Sequence, residues 1–154
     1  MKKINKLSCL FITSLLSTIA LATYTGFRDE EQIECTADLL ISRGDNSLNM
    51  KISQKLQGGK GIWIISGSVH QNDIKYFIGK TVEFDYLNKG ELYKLTSTSI
   101  QNSPQFNIPK VLEEKWLTRF AMNKGEALTL RIEKFNKSSW IVYAQTIPLY
   151  LCEK

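Results

Sequence analysis

One histidine, three cysteines and 15 acidic side chains are the material from which this 154-residue chain could build chemistry. A Ser–His or Cys–His nucleophile needs an imidazole base, and only His70 can supply one. His70 stands in Ser68-Val69-His70-Gln71-Asn72, at an expected strand end beside a turn, where plain exposure is the ordinary reading. The sharper reading is a pH-sensing imidazole, because free histidine titrates at about 6.5. Glu113 and Glu114 are neighbours on an expected helix and point apart, while Glu83 and Asp85 share the wet face of a strand. Neither pair has the opposed geometry of acid–base catalysis. Gly58-Gly59-Lys60-Gly61 lacks the strand–loop–helix setting and GK[ST] ending of a phosphate loop and reads as a hairpin turn. No catalytic residue, metal ligand set or cofactor is expected.

The cysteines gain meaning from the N-terminus. Residues 1–6, MKKINK, are basic, and the 21 positions from Leu7 to Phe27 carry no charge. A helix of that length reaches roughly 30 Å, the thickness of a bilayer core. Lysines before it and Asp29, Glu30 and Glu31 after it place the N-terminus in the cytoplasm and the remainder outside. Two readings stand: a single-pass anchor, or a secretory signal cut near Ala20-Leu21-Ala22. Both divide the chain into residues 1–27 and an exported body, 28–154. Outside the cytosol disulfides persist, and Cys35 and Cys152 lie at the two ends of that body. Paired, they close a loop of more than a hundred residues; unpaired, they are two buried thiols.

Charge excludes one partner class. The net charge is +5, but Lys2, Lys3 and Lys6 supply three of the 20 positive charges, which leaves the body near balance. A nucleic-acid footprint needs a concentrated basic patch, so no direct nucleic-acid partner is expected.

The body must then be positioned by strands. Val82, Phe84 and Tyr86 alternate with Thr81, Glu83 and Asp85; Leu48, Met50 and Ile52 repeat the pattern, as do Leu128, Leu130 and Ile132. Period-two alternation marks antiparallel strands with one buried face. Polar or glycine-bearing turns at 43–46, 58–61, 71–73, 88–90 and 136–138, with the helical segment between 101 and 126, divide the body into seven strands, the last at 139–147. Their spacing predicts a mainly β fold, an antiparallel meander curled into a lipocalin-like barrel or a sandwich. One helix interrupts it: Leu112, Trp116 and Phe120 are four apart in 111–120, after Pro109 and before Asn123-Lys124-Gly125. Aromatic residues on these elements, Trp63, Phe84, Tyr86, Trp116, Phe120 and Trp140, are core or the lining of an apolar pocket.

The order of features resembles the FidL-like family of small membrane-anchored proteins. The matching residues are the basic and apolar N-terminus, Cys35-Thr36-Ala37, Val82-Glu83-Phe84-Asp85-Tyr86, Tyr93-Lys94-Leu95-Thr96-Ser97, Lys115-Trp116-Leu117 and Pro148-Leu149-Tyr150-Leu151-Cys152. The resemblance implies an uncleaved inner-membrane anchor and a periplasmic domain. It also implies a partner: a membrane-spanning winged-helix transcription activator whose periplasmic domain the small protein binds and stabilises. The layout is similar to ToxS-, VtrC- and PsaF-type partners, which implies a lipocalin-like barrel and, for one such pair, uptake of a bile salt. The family implies no catalytic residues. The leading expectation is a non-enzymatic periplasmic co-regulator. The alternatives are a periplasmic binder of a small hydrophobic ligand and a secreted structural or adhesive subunit.

Overall fold

The computed structural model describes residues 32–154. The anchor-or-signal segment, including the cleavage motif at Ala20-Leu21-Ala22 and Cys9, lies outside the described residues. Among the described residues no helix is long and apolar enough to cross a membrane.

Eight antiparallel strands follow one another round a closed barrel, each paired to its sequence neighbours. They are β1 (Ile33–Arg43), β2 (Asn46–Gln57), β3 (Lys60–Gln71), β4 (Ile74–Lys89), β5 (Leu92–Asn102), β6 (Ala127–Lys134), β7 (Ser139–Ala144) and β8 (Ile147–Glu153). A seven-residue helix, α1 (Lys110–Trp116), and a 3-10 turn at Arg119–Ala121 lie between β5 and β6. Of the two expected architectures, the barrel is the one formed.

The turns explain the long ladders. Gly58-Gly59 and Asn72-Asp73 both take positive φ, the backbone that lets a two-residue turn match the twist of the strands it joins. The ladders beside them run unbroken, from Ser47↔His70 to Gln57↔Lys60 and from Lys60↔Asp85 to Gln71↔Ile74. Alternation then turns one face of each strand inward. Leu48, Met50 and Ile52, and Val82, Phe84 and Tyr86, are all buried, and Leu130 and Ile132 with them.

Two expectations need correction. The strand placed at 139–147 is two strands, β7 and β8, turning at Gln145, whose φ is 56°. No glycine marks that turn, and Pro148 falls inside β8 beside the register shift at Val142/Tyr143, an irregularity that accommodates a residue without an N–H. The helix placed at 111–120 stops at Trp116, where Leu117 turns extended and its N–H closes on the Glu113 carbonyl. Leu117, Phe120 and Ala121 are buried, whereas no residue of α1 is. The chain leaves the helix to place apolar side chains in the barrel, so tertiary burial overrides local propensity.

Candidate functional site: an apolar cavity beside an open seam

The barrel core is dense on one side. The Trp63, Phe84 and Phe120 rings meet edge to face, with centroids 5.1–5.6 Å apart. Gly61 permits this, since a Cβ there would strike the Phe84 ring. On the other side of Trp63 the packing gives way to a cavity of about 240 Å³. Its wall is almost wholly hydrocarbon: Leu48, Met50 and Ile52 from β2, Leu130 from β6, and Trp63 and Trp116. No acidic side chain and no lysine or arginine lines it.

The cavity lies along the place where the barrel closes. β1 and β8 share one ladder pair, Thr36 with Glu153, next to the disulfide Cys35–Cys152, whose Cα atoms are 5.4 Å apart. Gln54, on the inward face of β2, donates to the Cys35 Sγ at 3.3 Å and accepts the Tyr150 hydroxyl at 3.1 Å. Burial pushes the Tyr150 phenol above the ordinary tyrosine range, so it stays neutral and remains a donor. Beyond this lock no ladder joins the two strands. Leu39 and Ile41 on β1 and Leu149 and Tyr150 on β8 are the two lips of the gap, and all four line the cavity.

The segment carrying α1 is tied to the barrel by a buried cation. Lys80, 4% exposed, pairs with Glu113 at 2.7 Å and donates to Asn102 Oδ1 at 2.9 Å. The Phe106 ring lies 4.8 Å from its Nζ. Trp116, at the end of α1, reaches the cavity wall, and the Arg43 guanidinium lies over its ring at 5.4 Å.

Of the aromatic residues expected to line a pocket, Trp63 and Trp116 are in this wall. Phe84 and Phe120 pack behind Trp63, and Tyr86 and Trp140 are buried in the core outside the cavity lining. His70 is exposed on β3, opposite Ser47 and Lys75, and does not belong to the wall. Glu83 and Asp85 point outward, and Glu113 is engaged by Lys80. No group of three metal-ligating side chains gathers among the described residues.

Sequence reasoning passed over Lys80, Gln54 and the seam lips. The first two carried a readable signal: Lys80 is on the inward parity of Val82, Phe84 and Tyr86, and Gln54 on that of Ile52 and Leu56. The lips carried none, because unpaired edges are a property of closure and not of any one strand.

No family model matches the chain, and no curated protein matches its sequence. The FidL-like resemblance rests on its short motifs.

Proposed function

We propose that the protein is a non-catalytic, lipocalin-like binder that takes a small hydrophobic molecule into the cavity between β1, β2, β8 and Trp116. The single observation that carries this reading is the void itself. Protein interiors are close-packed, and an apolar void of this size forfeits dispersion contacts that a ligand restores. The test is a thermal melt of the full chain with 1-octanol, alongside native mass spectrometry of the protein as isolated. A raised melting temperature or a co-purifying small molecule supports the reading. Ala144→Phe, which fills the cavity at its β7 wall, should abolish either signal. Absence of both signals in the unmodified protein overturns it.

A second reading concerns the partner. Leu40 is 74% exposed and Ile147 67%, and they flank strand edges that carry unpaired N–H and C=O groups. Such an edge accepts a strand from another chain. With the FidL-like resemblance, this supports a co-regulator anchored by residues 7–27 in the inner membrane and docked on the periplasmic domain of a membrane-bound transcription activator. Sharing one membrane raises the effective concentration, and binding only the folded partner stabilises it. Deletion of the protein should lower the activator's steady-state level; an unchanged level excludes this role.

A further inference from the structure

Because the strands alternate up and down, the connections of the barrel fall on two rims. One rim carries the β2–β3, β4–β5 and β6–β7 turns together with the start of β1 and the end of β8. Backbone hydrogen bonds link these parts: the Tyr86 N–H donates to the Gly59 carbonyl, that of Ile132 to Glu91, and that of Lys154 to Ser138. The other rim carries the β1–β2, β3–β4 and β7–β8 turns and α1.

The first rim is apolar and basic at its tips. Leu87, 78% exposed, and Leu92, 53% exposed, flank the β4–β5 turn as diagonal neighbours across the ladder. Phe135, 63% exposed, stands in the β6–β7 turn. Lys60, Lys89, Lys134, Lys137 and Lys154 accompany them, against Glu91 and Glu153. Lys60, Lys89, Lys137 and Lys154 make no ion pair among the described residues. The three short turns of the opposite rim carry Arg43 with Asp45 and Asp73, and no lysine. Apolar tips beside lysines suit the boundary of an anionic bilayer, where hydrocarbon enters the acyl edge and ammonium groups meet lipid phosphates.

The point at which the chain enters the barrel selects a lipid surface over a protein one. Ile33 opens β1 on this rim, and only residues 28–32 separate it from the charge-free stretch 7–27. Five residues and their flanking bonds reach at most roughly 20 Å. With residues 7–27 in a bilayer, the rim that starts β1 is therefore the one held near the lipid. Asp29, Glu30 and Glu31 belong to that approach and not to the lysine-bearing tips.

We propose that the barrel docks on the anionic membrane surface through this rim, with Leu87, Leu92 and Phe135 entering the headgroup boundary and Lys60, Lys89 and Lys137 meeting lipid phosphates. This goes beyond the cavity reading and rests on the anchoring by residues 7–27. Docking orients the molecule. The disulfide end of the β1–β8 seam faces the bilayer, and the open lips towards Arg43 and Ile147 face away from it.

The test places the full chain, with 13C-labelled leucine and isoleucine methyls, in nanodiscs of phosphatidylcholine with and without phosphatidylglycerol, spin-labelled high on the acyl chain. In the anionic discs Leu87 and Leu92 should broaden strongly, while Leu40, Ile74 and Ile147, comparably exposed towards the opposite rim, stay sharp. Lys89→Glu combined with Lys137→Glu should remove most of that broadening, since each lysine near an anionic surface contributes about fivefold in binding. Phe135→Ser should remove part of it. The unmodified protein decides the matter even if a variant fails to fold. Sharp Leu87 and Leu92 signals in discs that hold the protein overturn the proposal and leave the anchoring standing. Broadening of Leu40 as strong as that of Leu87 also overturns it, because a barrel that is tethered without docking gives that result. Equal broadening in both lipids overturns the lysine contacts. Tip signals that shift only in discs holding two copies assign the rim to a second copy and overturn the lipid partner. Failure of the chain to enter nanodiscs overturns the anchoring, and the proposal with it.

Discussion

The two ends of the β1–β8 seam are built from the same pair of strands and behave oppositely. At one end the Cys35–Cys152 disulfide and the Thr36–Glu153 pair lock the strands together, and the Tyr150–Gln54 hydrogen bond ties β8 to β2 beside them. Towards Arg43 and Ile147 the strands stand unpaired, and the burial alternation of β1 fades from Cys35 and Ala37 to the exposed Leu40 and Ile41. Alternation is therefore maintained where a neighbour covers the strand and lost where none does. The difference teaches how one small barrel can be both stable and open: covalent closure at one end lets the other forgo its ladder and leave an apolar gap.

Five perturbations would break or sharpen that contrast. Replacing Cys35 and Cys152 with Ala removes a cross-link between residues 117 apart, which in the chain-entropy model costs about 4–5 kcal/mol. Denaturant unfolding should show the loss, and reductant should reproduce it in the unmodified protein while leaving the double variant unchanged. Phe120→Ala, on the dense side of Trp63, should cost about 3–5 kcal/mol by opening a void against Trp63 and Phe84. An equal cost for Leu149→Ala, at the half-open lip, would erase the distinction between the two regions.

Glu113→Gln leaves Lys80 buried with only Asn102 and Phe106 to meet it. A loss of about 3–5 kcal/mol is expected, with faster amide exchange in α1 than in β2–β4, and replacing both residues by apolar ones should recover much of it. Tyr150→Phe should cost about 1 kcal/mol at neutral pH by orphaning the Gln54 oxygen. It also changes the alkaline response. The folded protein holds the Tyr150 phenol above its usual range, so above about pH 10 the unfolded chain releases a proton that the native one keeps. Stability should fall as pH rises from there, and the Phe variant should lack that share of the loss in a pH series of urea melts.

Much of the barrel is legible in residue order because strand alternation and turn chemistry are local. Val82-Glu83-Phe84-Asp85-Tyr86 declares its buried face without reference to any partner, and Asn72-Asp73 declares its turn. Reading failed where a local signal was missing or outvoted. Gln145 turns without glycine, which concealed β8. The helical stripe of Leu112, Trp116 and Phe120 is genuine, yet the helix ends early because Leu117 and Phe120 gain more by entering the barrel. The candidate site was half visible: Trp63 and Trp116 stand out as large aromatics, but nothing local says that a cavity opens beside them.

Sequence alone determined the mainly β class, the order of most strands, the inward faces and the placement of the two cysteines at the ends of the body, because each follows from periodicity or position along the chain. Tertiary structure decided that the sheet closes as a barrel, that the sulfurs meet, that Lys80 is neutralised by Glu113, and that a cavity opens between β1 and β8. Those outcomes depend on which surfaces remain uncovered after residues more than a hundred positions apart have come together, and no stretch of chain carries that information by itself.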